Sequence, residues 1–303
     1  AVPEDYYSFA FRSDHSETDL SHDFYYTDAF FENTALQYSH KLALATLGLV
    51  AASGNTYQSD ALYWVEGEAG REDSIADAYQ KLGFANAVYA GYQCSLNTPV
   101  DTAGCAFAQK TLVQDGQRTT IIAAMLRGVG YGAEWASNLH VGEGGGHYGF
   151  VTAAEHFFED LQDYLKKAEA AAGTLGTIKL WLGGYSRGAA VSNMVGGALD
   201  NGYSLGEGVS LSPHDLYCYC YEPPMGAMKD QVQGRLYDNI QNLVNANDLV
   251  TYVAFDNWDF ARYGVDHVVP TKGDDNYLGY KVAMLKELSL IHISEPTRPE
   301  PIS

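Results

Sequence analysis

The stretch Trp181–Met194, WLGGYSRGAAVSNM, constrains this chain more than any other. Ile178–Gly183 reads as a short apolar strand. Gly188–Leu199 reads as a helix with Val191, Met194, Val195 and Ala198 as its buried stripe. Between them stands Gly184-Tyr185-Ser186-Arg187-Gly188, a G-x-S-x-G pattern. A strand turns this abruptly into a helix only if side chains are missing where the two approach, and glycines two before and two after the serine supply that. Ser186 is then expected in a strained conformation with its hydroxyl projecting from the corner. The helix N-terminus behind it favours developing negative charge. The arrangement suits a nucleophilic serine. A Gly-Ser turn without chemistry is the plainer alternative.

The remaining pattern supplies a fold around that corner. Ser39–Ala52 and Ser74–Leu82 read as helices, and Ala106–Leu126 as a hairpin turning at Asp115-Gly116. Phe150–Ala172 carries apolar residues at helical spacing and ends at Gly173. Leu216–Tyr221 and Ile240–Val244 read as further strands, whereas Tyr6–Tyr38 shows no clear period. Strands alternating with helices predict an α/β fold, a mostly parallel sheet with helices on both faces. No repeat or linker divides the chain, so residues 1–287 read as one domain with an N-terminal extension of about 1–38. Leu288–Ser303 contains LSLIHISEPTR, which resembles a translated sequencing adapter and is expected to be a non-native tail.

An alcohol needs a base within hydrogen-bond reach, and the base needs an orienting acid. On a sheet of this kind they follow the serine in the order acid, then histidine. Asp248 in NLVNANDLV stands just beyond a strand and is the leading acid; Asp215, Asp256, Asp259 and Asp266 are less well placed. After Asp248 come His267 and His292. His267, in YGVDHVVP, is the candidate base, with the alternative of a histidine further downstream. His292 lies in the suspect tail.

Charge and composition exclude other classes. With 38 acidic and 18 basic residues the net charge is −20, which repels nucleic acid and anionic bilayers. The longest apolar run, Leu42–Ala52, is shorter than the roughly 20 residues a membrane span needs and reads as a buried helix. The start AVPEDYY is compatible with a mature terminus after signal cleavage, so a secreted protein is expected, with a cytoplasmic one as the alternative. Cys94 and Cys105 flank a loop that a disulfide could close, while Cys218 and Cys220 share one strand face and read as small buried residues. Gly144-x-Gly146-x-x-Gly149 matches a dinucleotide fingerprint formally but follows a poor strand. His15 and His22, among acids, lack a fixed ligand spacing, and the 23 tyrosines are spread along the chain as packing residues. No cofactor or metal is expected.

Taken together, LRGVGYGAEWASNL, HYGF, WLGGYSRGAAVSN, CYEPPMG and LVNANDLV, in this order over roughly Ala106–Val250, resemble the class 3 lipase-like branch of the α/β hydrolases, especially bacterial lipase-family proteins. The resemblance implies a serine hydrolase of carboxylic, lipid or acyl esters. Ser186 would be its nucleophile and Asp248 its acid. It also implies an oxyanion hole from the backbone N–H groups of Val129 and Arg187. Many relatives have Ser or Thr where Val129 stands, so no hydroxyl can assist there. His147 in HYGF reads as structural. An acyltransferase, a non-lipid esterase and a catalytically silent binding domain are the alternatives.

Overall fold

A computed structural model describes residues 4–11, 20–54, 73–92, 101–114, 116–128, 146–206, 209, 211–234, 236–245, 248–252 and 259–269. Val129, Cys94, His15, His292 and the 288–303 tail lie outside these residues.

Seven strands form the central sheet. In spatial order they are β11 (Val265–Val269), β9 (Ile240–Asn245), β7 (Leu216–Tyr221), β6 (Thr177–Tyr185), β5 (Gln117–Leu126), β4 (Cys105–Gln114) and β3 (Ala85–Ala90). From β5 to β11 neighbours run parallel, and only β4 and β3 are antiparallel. The β4–β5 hairpin turns at Gly116, whose φ of 76° falls in the region that favours glycine. A two-stranded sheet of β8 (Ala227–Met228) and β10 (Phe260–Ala261) lies beside this body.

Period-2 alternation divides the core into two layers. On one face Phe107, Ile122, Leu126, Leu180, Leu182, Cys218 and Cys220 pack under helices α3 (Tyr148–Ala172) and α4 (Arg187–Asp200). On the other, Ile121, Met125, Trp181, Tyr217, Tyr219 and Tyr221 meet α1 (His40–Ser53), α2 (Asp73–Lys81) and the N-terminal segment. Trp181 is fully buried, and its indole N–H donates to the Thr46 hydroxyl of α1 at 2.8 Å. Leu44 and Leu47 stay exposed on α1, so that helix is buried on one side rather than all round.

The N-terminal extension is an antiparallel hairpin, β1 (Asp5–Phe11) with β2 (Leu20–Tyr26), followed by a short 3-10 turn, Asp28–Glu32. Phe9, Tyr26 and Phe31 join the core, and Tyr26 stacks on Trp181 with ring centres 5.9 Å apart. Cys218 and Cys220 share a face with their sulfurs 3.7 Å apart. Cys105, which the spacing allowed to bridge to Cys94, is a buried free thiol on β4, and its side chain lies in the layer under α3 and α4.

Candidate active site

Strand β6 ends at Tyr185 and α4 begins at Arg187, leaving a single residue for the change of direction. That residue, Ser186, has φ 52° and ψ −119°. A non-glycine residue there carries roughly 1–3 kcal/mol of backbone strain. The glycines show what imposes it. A Cβ on Gly184 would collide with the Gly188 carbonyl oxygen, and one on Gly188 with the Arg127 carbonyl oxygen. The corner is held by the Ser186 N–H donating to the Tyr221 carbonyl at 2.9 Å, and by its own carbonyl accepting the Ala190 N–H at 3.0 Å.

A serine at a helix N-cap ordinarily spends its side chain on the orphan N–H groups of the first turn. Ser186 makes no such bond, because its left-handed backbone turns the side chain away. Among the described residues the hydroxyl has no hydrogen-bond partner, and the residue is half-buried. It is therefore uncommitted among the described residues. The Arg187 main-chain N–H lies at the first position of α4, where such groups have no partner within the helix. The Arg187 guanidinium is buried and donates twice to the Thr102 carbonyl, at 3.1 and 2.8 Å, tying α4 to the segment before β4. Tyr185, half-exposed, lies against Gly128, where a Cβ would come within 3.1 Å of its ring.

Asp248 follows β9 on a turn in which its N–H donates to the Asn245 carbonyl at 3.0 Å. One carboxylate oxygen accepts the Val250 N–H at 2.9 Å, capping the 3-10 turn Leu249–Tyr252. Burial pushes its carboxyl above the ordinary aspartate value, and the Val250 N–H opposes that.

His267 stands elsewhere. Tyr185 pairs with Tyr221, Tyr221 with Leu243 and Leu243 with His267, one residue on each successive strand. Three inter-strand steps of about 4.8 Å put its backbone about 14 Å from β6. Its Nε2 is bonded to the Gln241 side chain at 2.6 Å and its ring stacks on Tyr38 at 4.1 Å. Burial lowers its pKa, so the neutral ring is favoured. β11 thus places His267, the expected base, at the far edge of the sheet and on its α1 side. His147 caps α3, buried and stacked on Phe150 at 4.0 Å. Among the described residues no histidine is hydrogen-bonded to Ser186 or Asp248, and no group of three metal-ligating side chains occurs.

Sequence reasoning missed the polar side chains that hold these parts together. The buried Asn193 of α4 accepts the Tyr263 N–H at 3.0 Å and donates to the Tyr263 carbonyl and to Asn242 of β9. Glu222 and Arg262 flank the turn of Asp248. The Glu-Pro-Pro sequence after β7 was the one visible sign of any of them.

No family model matches the sequence, and no curated protein does. Solved structures are similar. A triacylglycerol lipase whose catalytic centre is a serine-protease-type triad matches at 16% identity, over 78% of this chain and 82% of its own, with a TM-score of 0.50. A fungal lipase in complex with an inhibitor matches at 15% identity over 76% and 81%, TM-score 0.49. Lipase II from Rhizopus niveus matches at 15% over 63% and 69%, TM-score 0.42. At such identity the first likeness speaks for architecture alone. The chain has an α/β-hydrolase fold similar to that of this triacylglycerol lipase.

Proposed function

We propose that this chain is a serine hydrolase of carboxylic esters, with lipid or acyl esters as substrate class. The observation that carries the reading is Ser186: a helix N-cap serine, in a strained conformation, whose hydroxyl is not used to cap its helix. In the proposed reaction its oxygen attacks the ester carbonyl. A histidine takes the hydroxyl proton and passes it to the leaving alcohol, and water then cleaves the acyl-enzyme. Main-chain N–H groups of Arg187 and Val129 receive the oxyanion, and Asp248 orients the base. No step needs a metal or an organic cofactor.

Labelling with a fluorophosphonate tests the reading. Covalent modification is expected in the wild-type chain and absent in Ser186→Ala. Asp248→Asn should lower ester turnover by about 10²–10⁴-fold with an unchanged melting temperature, as expected when the base loses its orienting acid. Near-normal turnover in that variant would remove Asp248 from the site. The lack of a described histidine at Ser186 favours one second reading, a silent α/β-hydrolase domain that binds without reacting. A folded wild-type chain that takes up no probe would establish that alternative.

A further inference from the structure

Asp248 is only as well aimed as the turn that carries it, and two side chains from outside that turn hold it. Glu222 follows β7 directly. It is next in sequence to Tyr221, whose carbonyl accepts the Ser186 N–H, and its own N–H donates to the Leu243 carbonyl at 2.9 Å. Both oxygens of its carboxylate accept the Asn245 N–H, at 3.1 and 2.9 Å. The Asn245 carbonyl in turn accepts the Asp248 N–H. On the other side Arg262 donates to the Thr251 carbonyl at 2.7 Å and to the Pro223 carbonyl at 3.3 Å, and pairs with Asp266 at 2.6 Å. The Thr251 hydroxyl donates to the Asp248 carbonyl at 2.8 Å. The acid turn is gripped at its start by Glu222 and at its end by Arg262.

Glu222 sits there at a cost. Its φ is 51°, a conformation that glycine or asparagine adopts more readily. Burial, and the nearby charge of Asp248, push its carboxyl up to about 7, against the pull of the Asn245 N–H and the Arg262 charge. A strained, desolvated carboxylate next to another acid is a poor choice for a loop whose only task is to link two strands.

We propose that Glu222 is a positioning residue for Asp248: its carboxylate clamps the Asn245 N–H and so fixes the turn that aims the acid toward the nucleophile. The proposal rests on the hydrolase reading above. It predicts dependence on reach and on an acceptor oxygen. Glu222→Gln keeps an acceptor at the same distance. Glu222→Asp keeps the charge but is one methylene too short, and Glu222→Ala keeps neither.

The test is steady-state ester hydrolysis by the full chain, with thermal melts and fluorophosphonate labelling alongside. Glu222→Ala and Glu222→Asp should lower kcat about 10–100-fold, the scale of a small misplacement of a reacting group, with KM changed less than about 3-fold. Glu222→Gln should retain kcat to within about 5-fold. Should the alanine variant fail to fold, the aspartate variant carries the test. Wild-type kcat in the aspartate variant, or equal losses in Gln and Ala, would overturn the clamp. A wild-type chain that neither labels nor hydrolyses would sink the hydrolase reading, and this proposal with it. Labelling together with an unimpaired Glu222→Asp would sink the clamp alone.

Discussion

At the scale of single residues, the corner at Ser186 is a packing problem solved by omission. Gly188 has backbone from Arg127 and Leu126 where a side chain would begin, and backbone cannot step aside as the end of a flexible side chain can. Gly188→Ala should therefore destabilise the chain by about 1–3 kcal/mol or more, and should abolish probe labelling in the fraction that folds. Chemical denaturation and labelling together check this, and an alanine variant labelled at the wild-type rate would show that the corner relaxes. Asp200 offers a different kind of prediction. It sits in the last turn of α4, where a negative charge opposes the helix dipole. Burial pushes its carboxyl up to about 7, with the Asn239 amide at 3.2 Å pulling the other way. The folded state then holds a proton that the unfolded chain releases near pH 4. Stability from this group is complete at lower pH and is lost as pH rises toward 7. Asp200→Asn is expected to melt above wild type at pH 8, by the equivalent of about 1–2 kcal/mol after allowance for partial solvent access, with the gap reduced to less than about half at pH 5. An advantage that is the same at both pH values would count against the buried charge.

At the scale of elements, local pattern was enough wherever the chain could bury a face by itself. The strand-serine-helix unit, the hairpin at Gly116, α3 with its Gly173 stop and β7 at Leu216–Tyr221 all stand where periodicity and turn residues place them. The stripe of α4 was only half legible. Val191 and Val195 are buried, but Met194 and Ala198 are only partly so, because small residues let α4 approach the sheet over a broad face. The hairpin of β1 and β2 was illegible, since only Phe9, Phe24 and Tyr26 are buried and no alternating apolar run marks either strand. His267 shows the limit most clearly. Its strand was readable from VDHVV, but which edge of the sheet that strand joins is decided by pairing with β9. Being committed to Gln241 and Tyr38, His267 is expected to be dispensable: His267→Ala should keep the labelling rate within about 3-fold while lowering stability by about 1 kcal/mol for the lost side-chain hydrogen bond. Loss of labelling in a well-folded His267→Ala would restore it as the base.

At the scale of the whole molecule, the N-terminal segment is joined to the sheet by a buried ion pair. Lys110 of β4 reaches Asp28 at 2.5 Å and the Leu82 carbonyl at 2.8 Å, with its ammonium 5.3 Å from the centre of the Tyr26 ring. Removing one partner leaves the other charged in an apolar setting, which typically costs about 3–5 kcal/mol, whereas apolar replacement of both is often close to neutral. Lys110→Met should thus destabilise the chain by about 3 kcal/mol, and adding Asp28→Leu should recover most of it. A double-mutant cycle in urea checks this, and additive losses would mean that the two charges act separately. Nothing in the local sequence announces this joint. The acid and the lysine are far apart in the chain and meet only once the sheet has formed.

The corner at Ser186 has one consequence for how such a protein can diversify. The oxygens that forbid side chains at Gly184 and Gly188 belong to the main chain of Gly188 and Arg127, and every amino acid brings the same oxygen. The shape of the bend is consequently written in atoms that substitution cannot edit. Tyr185, half-open beside it, can be exchanged without recutting the bend. On the hydrolase reading proposed above, a library aimed at new esters should vary Tyr185 and leave both glycines alone.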